Sequence, residues 1–256
     1  MCTLAFYFQL SAALPVIVAA NRDEHYDRPS VPPAVIGERP KILAGKDLRA
    51  GGTWLGVNEH GVLAAILNRR ITAETDAPSA PRSRGRLCMD MLQARSATEA
   101  VGSLTERGAV YNPFSLLVAD RRAAHVAFNL GATSFVQDLE PGLHVFSSAA
   151  EFDLHSAKAV RAYALFGRAA EKIARSGTDA CEVSRVLSLP LADHSLPPGS
   201  CDPADAICVH RDGAGTVSSA IVLLSSNGRE RRFQMFYCPG APCQGAFGGS
   251  LDLEVW

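Results

Sequence analysis

Met1-Cys2-Thr3-Leu4-Ala5-Phe6-Tyr7-Phe8-Gln9-Leu10, a turn over 12–15, and Val16-Ile17-Val18-Ala19-Ala20-Asn21-Arg22-Asp23-Glu24 decide the architecture. Leu4, Phe6, Phe8 and Leu10 alternate at period two, and 16–20 is a compact apolar run, so the two segments predict an amino-terminal β-hairpin. Beyond this hairpin, 54–57 and 62–67 flank Asn58-Glu59-His60-Gly61, a loop of turn formers closed by a glycine, which predicts a second hairpin. Further strands are expected at 114–119, 124–128, 134–137 and 143–147, then at 206–210, 216–224 and 231–237.

Helices enter as two insertions. Ser96-Ala97-Thr98-Glu99 has the pattern of a capping box, in which hydroxyl and carboxylate satisfy free N–H groups at a helix start. It predicts a helix over 97–107, after a shorter one near 86–94. Ala157, Val160, Ala164 and Ala169 place one face on a helix over 157–175, and 178–189 forms another. Segments 26–50, 69–83 and 190–205 are read as loops, and 238–249 as a Gly/Pro-rich stretch. Strand groups separated by helix pairs predict an α+β fold: a four-layer α/β/β/α sandwich of two antiparallel sheets flanked by helices, one domain over 1–256.

Composition narrows function by exclusion. Lys+Arg 25 against Asp+Glu 26 leaves a net charge of −1, so no global field attracts a polyanion, and a nucleic-acid partner is not expected. The segment 1–21 is uncharged and ends Val18-Ala19-Ala20, like a signal peptidase site, but it lacks a basic n-region. Gln9, Ser11 and Pro15 also interrupt any bilayer span, so no membrane insertion is expected. The seven cysteines are odd in number and form no paired CxxC framework, which fits reduced thiols and a cytoplasmic location.

Cys2 is the leading chemical candidate. Aminopeptidases remove methionine ahead of small residues, which would leave Cys2 carrying both a thiol and a free α-amine, nucleophile and base in one residue. Those groups titrate near about 8.5 and about 7.7–8.0, so a nearby cation suffices to give a thiolate beside a proton acceptor. Antiparallel pairing in the first hairpin carries Asn21-Arg22-Asp23-Glu24 across from Cys2. Arg22 is expected to lower the thiol pKa and Asp23 to hold the amine. Adjacent strand residues point to opposite faces, so both reach Cys2 only if the strand has ended or bulged there.

Several runs resemble the NRDE, or transport-and-Golgi-organisation, family. They are Met1-Cys2-Thr3, Ala19 to Glu24 with Arg28-Pro29, Leu43-Ala44-Gly45-Lys46-Asp47, Gly51-Gly52-Thr53-Trp54-Leu55-Gly56, Ser83-Arg84-Gly85 and Tyr111-Asn112-Pro113-Phe114. The resemblance implies a fold similar to the N-terminal nucleophile hydrolases, with Cys2 in the nucleophile position. Those enzymes, among them bile-salt and penicillin V acylases, cleave linear amides through an acyl-thioester. It also implies that Asn68, closing the run 61–68, is the oxyanion-hole amide. Asn21, Trp54 and Ser148 fall at substrate-binding positions, although a Trp beside turn glycines is also a core residue. Two positions depart from the family pattern: Ser147-Ser148-Ala149 replaces Ser-Asn-Ala, and Val217 stands where relatives carry a second site arginine.

Other residues offer less. Cys238-Pro239 resembles a short haem-ligating element and makes a CxxxxC with Cys243. His210, beside Cys208, reads as a core histidine, and His25, His60, His125, His144, His155 and His194 lack the ligand spacing of zinc sites. No metal or cofactor is expected, and no phosphate-binding glycine loop or Gly-x-Ser-x-Gly elbow is present. The expectation is a thiol-dependent amidase or acyltransferase acting on a small acylated molecule. The alternative is a carrier that binds haem, acyl-CoA or a lipid without chemistry.

Overall fold

β1 (Thr3–Phe8) and β2 (Val16–His25) form the expected hairpin, in a register that pairs Thr3 with Asn21 and Phe8 with Val16. The computed structural model describes residues 2–69, 81–104, 111–131, 133–148, 156–176, 179–227 and 230–256. Residues 105–107 of the predicted helix, most of loop 69–83, Ala149, His155 and Thr178 lie outside these.

All strand pairs are antiparallel and fall into two sheets. The first runs β10 (Gly142–Ser147), β1, β2, β12 (Ala214–Asn227), β13 (Glu230–Pro239), β14 (Leu251–Glu254), with the short β11 (His210–Arg211) on β12. The second runs β3 (Ser30–Ile36), β4 (Ile42–Asp47), β5 (Leu55–Asn58), β6 (Leu63–Asn68), β7 (Phe114–Ala119), β8 (Ala124–Asn129), β9 (Ser134–Asp138). Leu4, Phe6, Val18 and Val222 of one sheet pack on Leu63, Leu117 and Val126 of the other, forming the central core. Burying such side chains stabilises the fold by about 1.5–3 kcal/mol each. The reverse faces are covered too: Ala5, Ile17 and Ile221 meet Ala162, Phe166 and Leu187 of α3 (Ala157–Ser176) and α4 (Ala180–Leu191). Ile42, Ala64 and Leu116 meet Leu87, Met91 and Ala97 of α1 (Arg84–Met91) and α2 (Ala97–Gly102). The predicted α/β/β/α sandwich is the observed architecture.

Four readings need correction. The strand expected over 206–210 begins only at His210, as the two-residue β11. Segment 26–50 is not a loop but contains β3 and β4; Pro32-Pro33 and a register shift between Val31 and Ala34 hide the alternation of this edge strand. The buried stripe of α3 is Lys158, Ala162, Phe166, Ala169 and Ile173, so of the residues predicted for its inner face only Ala169 is buried, and Val160 is exposed. In the capping box Ser96 Oγ accepts from Glu99 N at 3.1 Å as expected, but the Glu99 carboxylate accepts from Arg95 N at 2.9 Å.

Candidate active site

The hairpin register leaves Cys2 just beyond Thr3, between Ser147-Ser148 at the end of β10 and Arg22-Asp23 on β2. Its backbone N donates to Ser148 Oγ at 2.9 Å, and its carbonyl accepts from Ser148 N at 3.2 Å. The sulfur lies 3.9 Å from the Asp23 carbonyl oxygen. Two cavities meet here, of about 200 Å3 and about 320 Å3, and Cys2, Asp23, Glu24 and Asn68 line both. Arg22, Trp54, Arg82 and Arg84 are among the other residues lining the first; Ser148, Arg211 and Asp212 are among those completing the second.

Strand alternation sends the Arg22 and Asp23 side chains in different directions, yet both reach this corner. β2 neither ends nor bulges here, for it runs unbroken to His25; the extra residue is Val217 of the facing strand β12, between Thr216, opposite Asp23, and Ser218, opposite Arg22. Arg22 turns toward the second sheet, donating to Asp47 Oδ2 at 3.1 Å and Ser30 Oγ at 3.2 Å, with its guanidinium 4.3 Å from the Trp54 ring centre. Asp23 turns toward the helices. Its Oδ1 accepts from Thr216 Oγ1 at 2.7 Å, and its Oδ2 lies 3.6 Å from Lys158 Nζ at the start of α3.

This arrangement corrects the expected thiol chemistry. The Arg22 guanidinium is engaged with Asp47 rather than with sulfur. Burial pushes the Cys2 thiol above its usual range, and the Asp23 carboxylate pushes the same way; the amino terminus, the Asp23 backbone hydrogen bond and Lys158 oppose them. Arg84 lines the first cavity; burial and Arg28 make its guanidinium less basic, while Glu24 and Cys2 act in the other direction. Asp23 is likewise pushed up by burial, against Lys158, the amino terminus and Thr216.

The motif glycines hold the first cavity together by close approach. Gly52, at φ +133°, lies so near the Gly85 backbone that a Cβ there would collide with it, and Thr53 N donates to Gly85 O at 3.0 Å. A Cβ on Gly45 would sit 2.8 Å from the Trp54 ring, so the missing side chain seats the indole. Asp47 ties these runs to β2: its Oδ1 accepts from Arg49 N and Ala50 N, and its Oδ2 from Arg22 and Arg28.

Of the residues expected at the site, Cys2, Arg22, Asp23, Asn68, Trp54 and Ser148 come together, whereas Asn21 does not. The Asn21 amide nitrogen donates to Leu191 O and Ile207 O, each at 2.9 Å, and its oxygen accepts from Ser219 Oγ at 2.6 Å. It therefore pins the sheet to the segments around α4 and lines neither cavity. Sequence reasoning missed Lys158, Thr216, Asp47 and the role of Arg84. Lys158 alone left a signal, standing one turn ahead of the apolar stripe Ala162, Phe166, Ala169 and Ile173. No helix among the described residues is long and apolar enough to cross a membrane.

Residues 1–234 match the sequence pattern described as Transport and Golgi organisation 2. The chain belongs to this family. A human Transport and Golgi organization protein 2 homolog is 29% identical over 89% of this chain and 90% of its own length. A mouse homolog of the family is 36% identical over 47% of this chain and 45% of that protein, so that match spans about half the relative's length. Among solved structures, a variant of conjugated bile acid hydrolase from Clostridium perfringens is similar at TM-score 0.62 and 13% identity, covering 97% of this chain and 92% of that one. The Caenorhabditis elegans N-acylethanolamine-hydrolyzing acid amidase ortholog is similar at TM-score 0.54 and 15% identity, covering 87% and 92%. At such identities the likeness establishes the fold alone: this member of the family shares the α/β/β/α sandwich of these two structures.

Proposed function

We propose that the chain is a cysteine-dependent N-terminal nucleophile amidase or acyltransferase that works through an acyl-thioester on Cys2. The observation that carries this reading is the position of Cys2 in the wall shared by two cavities, which gives the acyl group and the leaving group separate compartments. After loss of Met1, the nitrogen now held by Ser148 Oγ becomes an α-amine. As the sulfur attacks the carbonyl carbon, the thiol proton passes to that amine. The tetrahedral oxyanion is stabilised by the Asn68 amide at the rim of both cavities. Breaking the carbon–nitrogen bond sends the proton from the ammonium to the departing amine, and water or an acceptor amine then resolves the thioester. Arg82 and Arg84 line the first cavity and form no ion pair among the described residues, which supports a substrate with an anionic group. Incubation with a panel of N-acyl amines that differ in a terminal carboxylate tests the reading, with release of the amine as the signal and Cys2→Ala as the inactive control.

A carrier reading rests on a different observation. A thiol raised by burial, together with Ser148 and Val217 at the two positions that depart from the family pattern, suits a pocket that binds without reacting. Haemin titration separates the two: a stoichiometric Soret shift lost in Cys2→Ala or Cys238→Ala supports the carrier, and amine release without such a shift supports the enzyme.

A further inference from the structure

Away from Cys2, on the outer side of β11, the fold gathers side chains that are scattered in sequence. His210 Nε2 lies 3.1 Å from Cys243 Sγ and 3.6 Å from Cys208 Sγ, and the two sulfurs are 3.6 Å apart. One ring nitrogen each of His194 and His210 and the sulfur of Cys243 all lie within 4.8 Å of one another. A tetrahedral zinc site with Zn–S of about 2.3 Å and Zn–N of about 2.0–2.1 Å has S···S edges of about 3.8 Å and S···N edges of about 3.6 Å. The Cys208–Cys243–His210 triangle matches one face of such a tetrahedron to within about half an ångström.

We infer that His194, Cys208, His210 and Cys243 form a structural zinc site. Two thiolates and two imidazoles are the donor set that suits tetrahedral zinc, and four protein ligands leave no open position for chemistry. Each thiol gives up its proton to solvent as it ligates. The backbone around the ligands is itself held. Cys208 N donates to Asp193 O at 2.8 Å, which brings His194 beside Cys208, and Gly240 N donates to Val217 O at 3.0 Å, which anchors the chain leading to Cys243 on the β12 bulge. Cys208 is buried, Cys243 is half-buried and both histidines are exposed, so the metal enters from solvent. Cys238 stands apart from this cluster: its Sγ faces the neighbouring Pro239 carbonyl at 3.8 Å, whereas Cys243 lies against Cys208 and His210. The next residue after His210 is Arg211, which lines the second cavity, so zinc would fix that wall of the site.

The test uses the full chain, expressed without a histidine tag in zinc-supplemented medium and dialysed. Metal analysis should give about one zinc per chain. Cobalt(II) added to reduced, metal-free protein should give strong visible ligand-field bands and a near-ultraviolet thiolate-to-cobalt band. His210→Ala and Cys243→Ser, which alter side chains at the surface, should each weaken metal binding at least about tenfold. Cys238→Ser should retain it. Wild-type protein without zinc and without the cobalt spectrum overturns the inference, as does an unchanged cobalt spectrum in both ligand variants. A Cys208–Cys243 disulfide in the isolated protein that takes up no cobalt after reduction overturns it as well.

Discussion

Lys158 Nζ lies 3.6 Å from Asp23 Oδ2, with side-chain exposures of 1% and 2%. The pair joins the first turn of α3 to the strand that faces Cys2, and Lys158 also donates to the Ala204 carbonyl at 3.2 Å. Removing Lys158 takes away the charge that most strongly opposes the burial of the Asp23 carboxylate. Lys158→Met should therefore cost about 3–5 kcal/mol in urea unfolding, and combining it with Asp23→Asn should recover much of that loss. Equal destabilisation in the single and double variants would show that the charges are not coupled.

Asp47 sets an acid limit. Burial works to raise its pKa, but the Ala50 N–H and the guanidiniums of Arg28 and Arg22 outweigh burial and hold the carboxyl below its ordinary value of 3.8. With the folded value depressed, its stabilisation is present above the unfolded pKa and is lost as pH falls through the folded one. Asp47→Asn should cost about 1–2 kcal/mol at neutral pH and flatten the stability profile below the ordinary carboxylate range. Stability profiles from urea titrations at stepped pH give the measurement; parallel curves would refute the assignment.

Gly52→Ala should be far worse than its size suggests. The φ of +133° disfavours any side chain, and the Gly85 backbone occupies the space a Cβ would need. A loss of at least about 2 kcal/mol is expected in thermal or urea unfolding, whereas Gly102→Ala, in α2 with nothing within 4 Å, should leave stability unchanged or raise it by a few tenths.

Asn68→Ala tests the proposed oxyanion donor. With a cleavable amide in hand, kcat should fall by about 10²–10³ while KM changes little, because the interaction matures only in the transition state. A rise in KM alone would make Asn68 a substrate-binding residue.

The layered fold was legible because β1 and the second hairpin carry their pattern locally, and because helix and strand groups alternate along the chain. What escaped notice depends on contacts between distant segments. β3 is an edge strand with Pro32-Pro33 and exposed Val31 and Val35, so its apolar alternation is weak. The site corner with Cys2, Arg22 and Asp23 was readable from hairpin register, and Asn68 from the family resemblance alone, but the partners of those residues were not. Arg22 pairs with Asp47 across the two sheets, and Asp23 pairs with Thr216 and Lys158, 193 and 135 positions away in the chain. The same holds for His194, Cys208, His210 and Cys243, whose proximity depends on the β12 bulge and on the path of the chain after β13.

A freed Cys2 should form an acyl-thioester. Intact-mass analysis of the purified chain, before and after exposure to an activated acyl donor and followed by peptide mapping, tests it most directly. The expected result is a chain lacking Met1, with one acyl group on Cys2 that neutral hydroxylamine removes and that is absent in Cys2→Ala. A chain that keeps Met1 throughout, or acylation confined to other cysteines, would contradict it.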